Sequence, residues 1–219
     1  MQKYLDDIST GKRYTLSDMV RASCNDCAGC SACCEDMGDS ILLDPFDLYQ
    51  LTGHLHRTFE QLMDQSIELH VVDGMILPNL KMSAETNACP FLNEQGRCNI
   101  HSFRPGICRV FPLGRIYEDG KLDYFLQAEG CVKQERSKVK VGKWLDTPDL
   151  KRNQKYLIDW HAFRKKIGEI LAAMDDENQK RTINLFLLKT FYIQPYDGSG
   201  DFYPQFYERM EKIKQVIGN

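Results

Sequence analysis

Residues 27–34 read CAGCSACC, with Cys24 just upstream, so a Cys-x2-Cys step is made twice and closed by an adjacent pair. Thiolates are soft ligands suited to zinc and to iron–sulfur clusters. A Cys-x2-Cys turn lets two sulfurs reach one metal. Cys27, Cys30 and Cys33 repeat the start of the bacterial ferredoxin run, in which a Cys-Pro ligand comes from elsewhere. Here Cys89 precedes Pro90. Cys34 is harder to place: neighbouring side chains of an extended segment point opposite ways, so an adjacent pair suits two metal positions or a bridged one.

Cys89, Cys98, Cys108 and Cys131 supply further sulfurs. Together with Cys27, Cys30, Cys33 and Cys34 they match two four-coordinate zinc ions, or one cubane cluster plus a second site. Cys24 is then the spare. A lone free cysteine is often just a small buried hydrophobe, but four within eight residues fit that reading poorly. A redox dithiol of the thioredoxin kind needs a βαβ pattern beside the motif, and none is visible.

A metal held only by thiolates is anionic, and a buried anion needs partners. Arg104 and Arg109 flank Cys108 and are the expected partners of such a centre. Arg97 and Arg115 fit a solvated face equally well. His101 follows Cys98 by three residues and reads as a hydrogen-bond donor to the centre rather than as a ligand. His54, His56, His70 and His161 read as structural.

The chain has 219 residues, enough for one domain or a small domain with an appendage. Its hydrophobic and charged fractions, 42% and 27%, are those of an ordinary globular protein. A net charge of −3 gives no bulk reason to expect nucleic acid or an anionic membrane. No apolar run has the length of a membrane span, and the N-terminal stretch MQKYLDDISTGKRYTL lacks the apolar core of a secretory signal. The expectation is a cytoplasmic protein, where nine cysteines argue for metal or redox chemistry rather than disulfides.

The elements that must position the cysteines can be sketched. Residues 1–20 have the pattern of a short amphipathic helix. Asp44-Pro45 reads as cap and first turn of a helix over PFDLYQLTG that Gly53 ends, and Thr58 caps a second over about 57–65. Asp73-Gly74 lies inside a hairpin spanning 67–82, NEQG makes a hairpin-like loop between Cys89 and Cys98, and Glu118-Asp119-Gly120 turns a third hairpin. Thr147-Pro148 opens a long helix on which Leu157, Trp160, Phe163, Ile167, Ile170 and Met174 recur at helical spacing. Asp175 caps the next, with Ile183, Phe186, Leu187, Thr190 and Phe191 on one side. QPYDGSGD breaks it, and a last helix runs from about Pro204 to Ile217. The fold class is α+β: short antiparallel hairpins and loops around a cysteine-ligated metal region, packed against C-terminal helices. Residues 1–146 form the cysteine-cluster region and 147–219 the helical part, expected to pack on it as one domain.

CAGCSACC followed by ILLDPFDLYQLTG, and the second block CPFLNEQGRCNIHSFRPGICRVFP, resemble the two signatures of the CxxCxxCC cysteine-cluster family of zinc- or iron-chelating domains. The resemblance covers about residues 24–131. It implies that Cys27, Cys30, Cys33, Cys34, Cys89, Cys98 and Cys108 are metal ligands, with Cys131 an eighth. Flagellin lysine N-methylases share the cysteine cluster and are associated with an iron–sulfur centre and S-adenosylmethionine. No GxGxxG loop follows a strand here, so a conventional nucleotide-binding methyltransferase unit has no support.

Three functions follow. The first is a metal-binding protein holding zinc or an iron–sulfur cluster, with no assigned reaction. The second is an iron–sulfur-dependent methyltransferase acting on lysine of a protein substrate, the one reading that calls for S-adenosylmethionine. The third is a zinc-stabilised module for protein interaction. A site saturated by cysteine is closed and structural, whereas catalysis needs an open metal position, which a three-sulfur set of Cys27, Cys30 and Cys33 would leave.

Overall fold

In the computed structural model, residues 9–23, 30–127, 130–133 and 135–217 are described. Strand β1 (Ser9–Tyr14) and strand β2 (Met19–Ser23) occupy the segment where the sequence suggests a helix. In β2 every second residue, Val20 and Ala22, points inward, a period of two that a helix cannot use. Both strands gain partners from the distant end of the cysteine region, and that pairing outweighs a weak local preference.

Helix α1 (Pro45–Leu55) starts as expected. The Asp44 carboxylate accepts from the Asp47 amide, Asp47 reaches back to the Asp44 amide, and Pro45 has no amide to satisfy. The helix runs past Gly53 and stops at His56, whose φ of 53° is left-handed. Helix α2 (Phe59–Gln65) opens on a second reciprocal cap between Thr58 and Gln61. Strands β3 (Ile67–Val72) and β4 (Met75–Leu80) pair through Val72 and Met75, and Asp73 and Gly74 both take positive φ in the tight turn.

The short helix α3 (Gly106–Val110) is followed by β5 (Leu113–Glu118) and β6 (Lys121–Gln127), joined at Asp119-Gly120. β1 adds to β6, giving the order β1-β6-β5. Gly114 faces Phe125 across this sheet, and a Cβ there would stand 2.2 Å from the ring, so the aromatic takes the space of the missing side chain. Strand β7 (Ser137–Lys140) pairs with β2, and helix α4 (Val141–Leu145) continues from it. All three sheets are antiparallel.

The helical segment begins later than Thr147-Pro148 suggests. Thr147 turns its hydroxyl back to the Leu145 carbonyl, so it cannot cap, and helix α5 (Leu150–Ala172) starts after Asp149 in a left-handed conformation. Met174 lies past its end. Helix α6 (Glu177–Leu188) is capped by Asp176 rather than Asp175, its carboxylate accepting from the Asn178 and Gln179 amides. A single π-helical turn, Lys189–Ile193, follows. Helix α7 (Phe202–Ile217) starts two residues ahead of Pro204, with the Asp201 carboxylate accepting from the Tyr203 amide.

Tyr156, Leu157, Trp160, Phe163, Ile167 and Leu171 make the buried stripe of α5. Trp160 meets Phe191 edge-on at 5.0 Å and Tyr156 meets Phe206 at 4.7 Å, geometries that favour aromatic rings. The same core continues through Leu43, Leu48 and Leu77 to Val110, Leu113 and Tyr124. The Tyr156 hydroxyl accepts from the Phe46 amide, fastening α5 to α1. The α+β class with C-terminal helices is thus as expected. Among the described residues, no helix is long and apolar enough to cross a membrane.

Candidate metal centre

The first cysteine block ends in a 3-10 turn, Ala32–Cys34, closed by the Cys34 amide donating to the Ser31 carbonyl. From there the chain lies antiparallel to residues 87–89. The Cys89 amide donates to the Cys34 carbonyl at 2.7 Å and the Asp36 amide to the Asn87 carbonyl at 2.9 Å. Beyond Cys89, the Asn93 side-chain oxygen accepts from the amides of Gln95 and Arg97, and Gly96 takes φ 68°. This Asx-type loop returns the chain so that Cys98 forms a bridge with Leu92. A further 3-10 turn, His101–Phe103, leads through Pro105 into α3, which carries Cys108.

Helix α3 is held from both sides. The Gly106 amide donates to Asp47 Oδ1 at 2.8 Å, tying it to α1. Arg109, 7% exposed, donates to the carbonyls of Arg104, Asp146 and Ser102. Arg109 therefore bolts the loop before α3 to the end of α4, and it lines neither of the cysteine-lined cavities.

Those two cavities adjoin. Cys30, Cys33, Cys34, Cys89, Cys98 and Cys108 line one of about 60 Å³. Cys30, Cys33, Cys108 and Cys131 line the other, of about 40 Å³. Cys30, Cys33 and Cys108 thus belong to both, Cys34, Cys89 and Cys98 to the first, and Cys131 to the second. All seven of these thiols are free and half-buried. Cys27 and Cys24 lie outside the described residues. Among the described residues, no three His, Cys, Asp or Glu side chains close on a single ion position.

Neighbouring sulfurs act on one another's acidity. The Cys34 thiol donates to the Cys33 sulfur, and that bond, helped by the Arg104 charge against the cost of burial, holds Cys33 at about 6. The same bond, burial and the charges of Cys33, Cys89 and Cys98 push Cys34 far up. Burial raises Cys89, Cys98 and Cys108 as well. These thiols cannot all ionise unless a cation joins them, and metal binding supplies that cation while releasing the protons. The donor chemistry therefore fits zinc or iron.

Arg104 lines both cavities. Its Nη1 donates to His101 Nε2, which makes that nitrogen an acceptor and removes its lone pair from metal binding, since a guanidinium only donates. The expected donor role of His101 is thus not met at Nε2. The Arg104 Nε is buried without a hydrogen-bond partner among the described residues. Arg97 also lines the first cavity, whereas Arg115 lines neither. The Asp47–Gly106 tether is missed by sequence reasoning. Its one local signal, an aspartate at the third position of α1, is spent on the cap.

A small α+β fold whose separated cysteine blocks meet on shared cavity walls defines a cysteine-rich chelating domain. Residues 26–138 match the model of the CxxCxxCC family, described as "Putative zinc- or iron-chelating domain", and the chain belongs to that family. No curated protein and no solved structure matches the chain significantly.

Proposed function

We propose that the chain holds a thiolate-ligated zinc or iron–sulfur centre with two adjoining metal positions. Cys34, Cys89 and Cys98 would serve the first and Cys131 the second, with Cys30, Cys33 and Cys108 between them and Cys27 added from the motif. The carrying observation is that Cys30, Cys33 and Cys108 line both cavities. A bound centre would supply fixed positive charge that draws the half-buried sulfurs together, and Arg104 would offset the negative charge of the thiolates. Residues 1–146 and 147–219 are proposed to act as one unit, a reading supported by the continuous core. A reducing, cytoplasmic setting goes with seven free thiols.

The test is anaerobic purification of the full chain, followed by measurement of zinc, iron and acid-labile sulfide and by a visible spectrum. Bound zinc without colour, or iron with sulfide and a broad band near about 400 nm, supports the centre and tells the two metals apart. Protein that stays metal-free after reconstitution with either metal overturns it.

A further inference from the structure

A separate cavity of about 250 Å³ touches α3 through Ile107, whose neighbour Cys108 faces the cysteine-lined cavities. Its wall has one face of β5, Arg115 and Tyr117 at i and i+2, and one face of α5, Leu157, Trp160, His161 and Arg164 at i, i+3, i+4 and i+7. Tyr192 comes from the π-helical turn between α6 and α7, a distortion of the kind that often re-aims a side chain at a binding site. The His161 ring stacks on Tyr117 with centroids 4.0 Å apart.

Two guanidinium groups face this space, and each has a buried Nε without a hydrogen-bond partner among the described residues. Nearby carboxylates do not fill that need. Asp44 accepts from the Asp47 amide, while Asp47 gives one oxygen to the Gly106 amide and the other to the Asp44 amide. Arg115 donates instead to the Gly106 carbonyl. Arg164 has an ion pair only at 3.6 Å, with Asp73, whose side chain is 77% exposed and so weakly held. Burial and the Asp44 charge raise Asp47 to about 8, so it carries little charge at neutral pH. Burial, followed by Lys165 and Arg164, lowers His161, which keeps it neutral as well. Burial raises Asp44 as well, and its charge raises Asp47, so this carboxyl pair carries at most one negative charge at neutral pH. Two fixed cations against it leave room for an anion. The rest of the wall is apolar or aromatic.

We propose that this cavity binds a small organic monoanion: its carboxylate on the side of Arg115 and Arg164, and its apolar body against Trp160, Tyr192 and Leu77. A carboxylate matches the guanidinium fork, and pockets that pair apolar walls with a few placed polar groups are the usual small-molecule sites.

The full-length protein is titrated with benzoate and, separately, with the neutral isostere benzamide, at matched metal content. Binding is followed by calorimetry and by NMR of the arginine Nε–H signals. Benzoate is expected to move the Arg115 and Arg164 signals while benzamide does not. Arg164→Met, made at a partly exposed position, should weaken benzoate by about tenfold or more at unchanged melting temperature and metal content. Equal binding of benzoate and benzamide, or an affinity unchanged in Arg164→Met, overturns the proposal. So does an absence of binding by benzoate, phenylacetate and hexanoate alike up to millimolar concentration.

Discussion

The amide of Cys89 donates to the carbonyl oxygen of Cys34 across 2.7 Å. This bond, with its neighbour from Asp36 to Asn87, holds side by side two cysteine blocks that lie far apart in the chain and line the same cavity. It sets the adjacent pair Cys33-Cys34 so that Cys33 faces both cavities and Cys34 only one.

That division predicts an unequal response to cysteine loss. Cys131 lines the second cavity alone, so Cys131→Ser should shed about half of the bound metal and leave the remainder tightly held. Cys33 lines both, so Cys33→Ser should shed nearly all of it and lower the melting temperature more. Metal analysis of both variants after gel filtration decides the matter. Equal losses would mean that the cavities do not correspond to separate positions.

Asp47 predicts a slope in stability with pH. Burial, reinforced by Asp44, raises its folded value to about 8, against an ordinary aspartate near about 4. Between those values the folded chain keeps a proton that the unfolded chain has lost, so stability falls as pH rises through the window, by up to about 1.4 kcal/mol per pH unit from this group. Above the folded value the effect is complete. Asp47→Asn removes the titration, at the cost of one amide bond to Asp44 or Gly106. Urea midpoints from pH 5 to 8 should therefore decline less steeply in the variant (roughly the interval between the two values). Parallel curves would show that Asp47 is not the source.

Arg209 predicts a large local effect in the helical segment. It is 6% exposed, donates to the carbonyls of Thr190, Gln194 and Pro195, and lies 3.5 Å above the Tyr196 ring. Those carbonyls belong to the π-helical turn and its exit, where regular helix bonding has stopped. Arg209→Met keeps most of the packing volume but strands the acceptors, and should cost about 3–5 kcal/mol. A melting temperature close to that of the parent would rule out this role.

The local features of the fold were legible because their causes are local. Asp44-Pro45, Thr58, Asp73-Gly74 and Asp119-Gly120 act within four residues and appear where expected. Strands β1 and β2 were not legible, because Tyr14 finds Tyr124 and Val20 finds Val139, partners more than a hundred residues away. The start of α5 failed for a related reason: whether Thr147 caps or turns back depends on where α4 ends. The cysteine set could be read from spacing and motif. Which cavity each sulfur faces could not, since it depends on the Cys34–Cys89 bond and on the docking of α3 by Asp47.

Two glycines in helices predict opposite signs for the same substitution. Glycine inside a helix ordinarily costs about 1 kcal/mol against alanine. At Gly53 in α1 nothing lies within 4 Å of an added Cβ, so Gly53→Ala should stabilise by about that amount. At Gly168 in α5 the added Cβ would stand 2.8 Å from the Asp73 carbonyl oxygen. That oxygen belongs to the turn of the β3–β4 hairpin, where Asp73 has φ 52° and the register is fixed by the Val72–Met75 pair. The turn cannot yield without disturbing the strands, and overpacking of this kind costs about 1–3 kcal/mol. The cost of overpacking against a fixed turn exceeds the gain in helix preference, so Gly168→Ala should lower the melting temperature while Gly53→Ala raises it. Thermal melts of the two variants beside the parent are the measurement, and shifts of the same sign would refute the close approach of the hairpin to α5.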